Sequence, residues 1–268
     1  MTGPLIALGV IAAVVALMAL GIRAMLRAAN ARRAQQLSGP AAALGLTPAD
    51  ALPDNLPPFE LLNVGKGRDA APILRGTVGG IDVTVFDYSF DGTKTTKVAG
   101  LHYHNDVATM TIACARGSWL NLPAFALEPD MSAAVKEAEA TVAREAGDGA
   151  MGKMAHALMS LAEGMAGSQA GWRFTDRPDV RYVVRNGDQA AVRAAFTPPV
   201  LDFFGTHRGW LVEGQGDWVL VTFSSQLRLP GFNPSQQRLD TGQLAPEQLD
   251  TLVRAATGTI AAFQASRA

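Results

Sequence analysis

The chain has 268 residues, 48% of them apolar, and its 23 basic and 24 acidic side chains leave a formal net charge of −1. That balance argues against a nucleic-acid-binding domain, which would carry a basic face. A single cysteine, Cys114, excludes an internal disulfide and any multi-cysteine metal site.

Residues Leu5 to Ile22 (LIALGVIAAVVALMALGI) contain no charged or amide side chain. A helix of that length spans about 27 Å, close to the ~30 Å hydrocarbon core of a bilayer, so the segment reads as a transmembrane anchor. Met1 to Pro4 lacks the basic n-region of a cleavable signal peptide, and cleavage is not expected. Arg23, Arg27, Arg32 and Arg33 follow the apolar run. By the positive-inside rule they stay cytoplasmic, which places the N-terminus outside and the main domain on the cytoplasmic side, as expected of a single-pass membrane protein. The same arginines are the candidate membrane-surface residues, resting on anionic headgroups of the lipid bilayer. The first acidic residue is Asp50, and with the four arginines set aside the rest of the chain carries −5. The basic stripe is therefore local.

The expected organisation is an anchor over 1–28, a juxtamembrane helix and linker over 29–58, a first α+β half over 59–130, a helical insertion over 131–170 and a second α+β half over 171–268. Helical character extends through Gln36, and Ser38-Gly39-Pro40 is expected to break it before a short helix near Ala41 to Leu44, capped by Gly45. Thr47 to Pro58 holds four prolines and reads as a linker or as a loop hugging the domain.

Strands are predicted over ILRGTV from Ile73 and IDVTVFDYSF from Ile81, joined at Gly79-Gly80 as a hairpin. Val83, Val85 and Asp87 share one face of the second strand, and Thr84, Phe86 and Tyr88 the other. A third strand follows Asp106 and a fourth covers LNLPAFAL, for an antiparallel sheet. From Met131 to Met165 the composition turns helical, with Gly147-Asp148-Gly149 dividing it into a helical hairpin. Met151, Met154, Leu158, Leu161 and Met165 step by 3 and 4 into one apolar stripe. That stripe is either core or a docking face for a protein partner, to which flexible thioethers adapt.

RYVVR (Arg181 to Arg185) is a further strand, Asn186-Gly187 a turn, and Asp188 the cap of a helix ending at Ala195. Pro198 restarts a second helix that ends near Gly205. GWLVEG and DWVLVTF are strands joined by a turn around Gln215-Gly216. Pro246 opens an amphipathic helix bearing Leu249, Leu252, Val253, Ala256, Ile260 and Phe263. The fold class is thus α+β: a transmembrane helix, antiparallel sheet with packed helices, and an inserted helical hairpin.

The order Asn63-Val64, an RG…G hairpin, Phe86-Asp87-Tyr88, Leu122-Pro123-x-Phe125-x-Leu127-x-Pro129, Ala191-Val192-Arg193-Ala194-x-Phe196-Thr197 and Val212-Glu213-Gly214-x-Gly216 resembles a family of uncharacterised bacterial proteins. The resemblance spans about Leu44 to Phe263 and implies one N-terminal membrane helix and an α+β domain. Met131 to Gln169 and Pro230 to Gln243 depart from it as insertions. It carries no catalytic residue.

The chemistry legible in the residues is sparse. His102 and His104 form an H-x-H pair that could share a metal from one strand face, but no third ligand is apparent, and two surface histidines in a polar loop are the favoured account. The sequence has no G-x-S-x-G elbow, H-E-x-x-H helix, P-loop, S-x-x-K or G-x-G-x-x-G fingerprint. No cofactor is expected. Cys114, in an apolar strand, reads as a buried, inert thiol. Asp87 reads as a buried acid that either has a functional role or accepts hydrogen bonds from a neighbouring turn. Two functions follow: a membrane-tethered, non-enzymatic binding or accessory protein in a larger membrane assembly, or a membrane-bound, metal-assisted hydrolase using His102 and His104.

Overall fold

A computed structural model describes residues 21, 24–25, 27–63, 66–91, 107–130, 171–223 and 243–266. The histidine pair, the methionine stripe, Arg23 and the apolar run over 5–20 lie outside these residues. No helix among the described residues is long and apolar enough to cross a membrane.

The fold is α+β and is built on one nine-stranded antiparallel sheet in the order β1-β2-β3-β4-β9-β8-β5-β7-β6. Its strands are β1 (Thr47–Ala49), β2 (Lys66–Val78), β3 (Ile81–Asp91), β4 (Val107–Arg116), β5 (Leu122–Pro129), β6 (Trp172–Arg173), β7 (Tyr182–Asn186), β8 (Trp210–Gly216) and β9 (Trp218–Phe223). Strand β4 pairs with β9, and β5 pairs with both β7 and β8. The two α+β halves read from the sequence therefore share a single sheet.

The β2–β3 turn is the predicted Gly79-Gly80, with φ of 58° and 81°. Two successive positive φ values give a turn whose twist matches that of the strands, and glycine takes them without Cβ strain. Helix α1 is continuous over residues 27–43, α2 spans Gln189–Ala195, α3 Pro198–Thr206 and α4 Leu249–Ala265. Asp188 caps α2 by accepting from the Ala191 amide at 2.8 Å, and Pro198 opens α3.

The break predicted at Ser38-Gly39-Pro40 does not occur, because α1 runs through it to residue 43. Leu37 and Ala41 are buried in the main core on the inner side of that helix, and their tertiary burial offsets the poor local propensity. Gly45, with φ of 74°, ends the helix: its amide bonds to the Ala42 carbonyl and that of Leu46 to Ala41. This corner sits directly on Gly76 of β2, where a Cβ would collide with the Gly45 carbonyl.

Two cores lie on the two faces of the sheet. On one, Val83, Val85, Val219 and Val221 meet α4 through Leu252, Val253, Ala256 and Ile260, joined by α1, α2 and α3. On the other, Phe86, Tyr88, Met110, Ile112, Cys114 and Leu220 are covered by a strap over residues 50–63, through Leu52, Leu56, Phe59, Leu61 and Leu62. The stretch read as linker or hugging loop is that strap, with β1 at its start.

Candidate functional site

Arg33, Leu37 and Ala41 recur every four residues and so lie along one side of α1. That side faces the sheet, and Arg33 is only 7% exposed. Its Nε donates to Asp87 Oδ2 at 2.8 Å and its Nη2 to the Leu244 carbonyl at 2.7 Å. Asp87 also accepts from the Thr111 hydroxyl at 2.5 Å, and that hydroxyl receives the Leu244 amide at 2.9 Å. One charge-assisted cluster thus joins α1, β3, β4 and the segment entering α4. It corrects two expectations. Arg33 is withdrawn from any lipid surface because it neutralises a buried carboxylate, whereas Arg27 and Arg32 are exposed. Asp87 is held by Arg33 and Thr111 rather than by a neighbouring turn.

The strap-covered face carries the second buried acid. Registers across six strand pairs align Arg75, Thr84, Cys114, Leu220, Glu213, Ala126 and Asn186 in one row. Glu213, 5% exposed, accepts the Glu60 amide at 2.7 Å on Oε2 and the Leu61 amide at 2.9 Å on Oε1. Its carboxyl thereby caps the 3-10 turn Leu61–Asn63 that ends the strap. Burial pushes Glu213 up to about 7; the two amide bonds pull it down, while the Glu60 carboxylate adds to the rise and Arg185 opposes it. Around it, Arg185 pairs with Glu128 at 2.5 Å and lies 3.9 Å from Glu60, and Asn186 donates to Glu60 at 2.9 Å. Farther along the strap, the Tyr88 hydroxyl donates to the Leu62 carbonyl at 2.7 Å.

At the other end of the row the strap and sheet enclose an open cleft of about 300 Å³, walled by Pro53 and Asn55 of the strap and by Arg75, Thr84, Arg116 and Trp218 of the sheet. The Arg75 guanidinium makes no hydrogen bond or ion pair with the described residues. Arg116 pairs with Asp217 at 3.2 Å and stands 5.8 Å from the centre of the Trp218 ring. The cleft thus sets cationic and hydrogen-bonding groups beside an aromatic wall.

Cys114 is fully buried, and burial pushes its thiol up, as its strand context predicts. No group of three His, Cys, Asp or Glu side chains that could hold a metal occurs among the described residues. Sequence reasoning passed over Glu213, although a lone acid in the apolar strand GWLVEG is the signal that marks it. It likewise passed over the four-residue spacing that turns Arg33 inward.

No family model, curated protein or solved structure matches this chain.

Proposed function

We propose that the protein is a membrane-tethered, non-enzymatic binding module that serves as an accessory subunit of a larger membrane assembly. The observation that carries this reading is the burial of Arg33 against Asp87. It makes α1, which follows the apolar run in the sequence, part of the folded domain. With Leu5 to Ile22 spanning an inner membrane and Arg23 at its cytoplasmic surface, Arg33 lies about 15 Å further along the helix axis. Such a connection suits a subunit that must present a surface at a fixed height above the bilayer. The methionine stripe read from the sequence at Met151, Met154, Leu158, Leu161 and Met165 is the face offered to a protein partner, and the polar cleft beside the strap is a second place for a ligand.

Purification of the full chain in mild detergent, with identification of co-purifying proteins, tests the reading. A reproducible membrane-protein partner that is lost on changing Met154 and Leu158 to aspartate, with the domain still folded, supports it. Recovery of the full chain in the soluble fraction without detergent overturns it.

A further inference from the structure

We propose that the cleft between strap and sheet is a binding site for a small organic monocarboxylate, whose carboxylate is held by the Arg75 guanidinium and the Thr84 hydroxyl. The proposal rests on the reading of that cleft as a place for a ligand and names the ligand's chemistry. It is independent of the membrane tether and of the methionine stripe.

The site begins with two side chains that stand opposite each other across a strand pair. Arg75 of β2 and Thr84 of β3 are in register, so their Cβ atoms lie about 5 Å apart on one face of the sheet, and both line the cleft. Thr84 is 3% exposed, yet its hydroxyl bonds to no described residue. The hydroxyls of the other buried threonines described, Thr111, Thr222 and Thr259, each donate to a neighbouring oxygen. Arg75 is the same kind of exception among the strand arginines described: Arg68, Arg116, Arg173 and Arg185 each bond to an oxygen, and Arg75 does not. Buried polar groups are nearly always hydrogen-bonded, and a bare hydroxyl beside an unpaired guanidinium is an arrangement that a bound acceptor satisfies. The strap adds Asn55, which also lines the cleft and whose side-chain amide, unbonded to the described residues, can donate as well.

The donors set the ligand's charge. A guanidinium donates and cannot accept, and its fixed fork matches the two oxygens of a carboxylate. The second cation of the cleft, Arg116, is already paired with Asp217 at 3.2 Å. Asp82, another lining residue, accepts from the Thr77 hydroxyl and forms no ion pair with the described residues. One guanidinium is therefore uncommitted, and a carboxylate stands near it. A single negative charge on the ligand is matched by Arg75, whereas a second would be repelled by Asp82, which favours a carboxylate over a phosphate dianion.

The walls set its size. Pro53 and Trp218 are both buried and give the cleft an apolar side. Its volume, about 300 Å³, is at the lower end for ligand pockets, which leaves room for a short apolar body behind the carboxylate.

Amide NMR of the isotope-labelled full chain in non-ionic detergent, titrated with sodium butyrate at constant pH and ionic strength, reads the binding. The expected result is a set of saturable shifts at the amides of Asn55, Arg75 and Thr84 that sodium chloride does not reproduce, with inorganic phosphate binding more weakly than butyrate. Arg75→Gln should weaken butyrate binding at least about tenfold, and Thr84→Val, which keeps the side-chain shape, about threefold or more. Neither substitution should lower the melting temperature of the ligand-free chain, because neither group has a bond within the fold to lose. A lower melting temperature in Thr84→Val would show that the hydroxyl serves the fold and would overturn its role as a ligand group. The proposal is also overturned if butyrate gives no saturable shifts, if Arg75→Gln binds it as the unaltered chain does, or if phosphate binds more tightly than butyrate. None of these outcomes bears on co-purification of a membrane partner, which tests the tether and the stripe separately.

Discussion

Arg33 and Asp87 meet at 2.8 Å across 54 residues of sequence, with side chains only 8% and 1% exposed. A buried ion pair contributes little net stability over a well-packed apolar pair, but removing one partner leaves an uncompensated charge. The helix leading to the apolar segment and the sheet therefore cannot be separated without stranding the Asp87 carboxylate.

Arg33→Met should accordingly destabilise the domain by about 3–5 kcal/mol. The double variant Arg33→Met/Asp87→Leu should recover much of that loss, since no lone charge remains. Denaturant unfolding of both proteins in the same detergent measures the difference. Additive losses in the double variant would show that the two groups do not act as a pair.

The same contact sets how far the N-terminus can be cut. Deleting residues 1–27 keeps Arg33, Leu37 and Ala41 and should yield a folded domain. A deletion through residue 45 removes all three, along with the corner seated on Gly76, and should abolish cooperative thermal unfolding by circular dichroism. If the longer deletion melts like the shorter one, α1 is dispensable.

Cys114 gives a chemical readout of the strap-covered face. Burial raises its thiol above the usual range, so little thiolate forms at pH 8 and the native protein should resist a thiol-reactive dye. Denaturant should release one equivalent. Rapid labelling of the native chain would mean that the face over Cys114 is open to solvent most of the time.

Topology is tested independently of the fold. The four arginines after the apolar run predict that a reporter fused after Ala268 reads as cytoplasmic. Activity specific to the opposite side of the membrane would invert the proposed orientation.

Much of the architecture was legible from local pattern. The Gly79-Gly80 hairpin, the Asp188 cap, the strands rich in β-branched residues and the inward face of α4 each follow from neighbouring residues, because turn chemistry, capping and side-chain periodicity are local effects. The α+β class with an antiparallel sheet follows from the order of those elements. What local pattern could not decide was which distant group completes each buried charge. Arg33 looks like one more member of a basic stripe until the helix is laid on the sheet, and only then does its spacing with Leu37 and Ala41 point it at Asp87. The helix itself crosses Ser38-Gly39-Pro40 because burial of its inner face outweighs the propensity of those three residues. Glu213 sits in a strand whose own residues specify only that it is half of an alternating pattern. That it caps a strap more than 150 residues earlier in the chain depends on β8 lying beside β5 and β9 at the centre of the sheet, a long-range register that no stretch of sequence encodes alone.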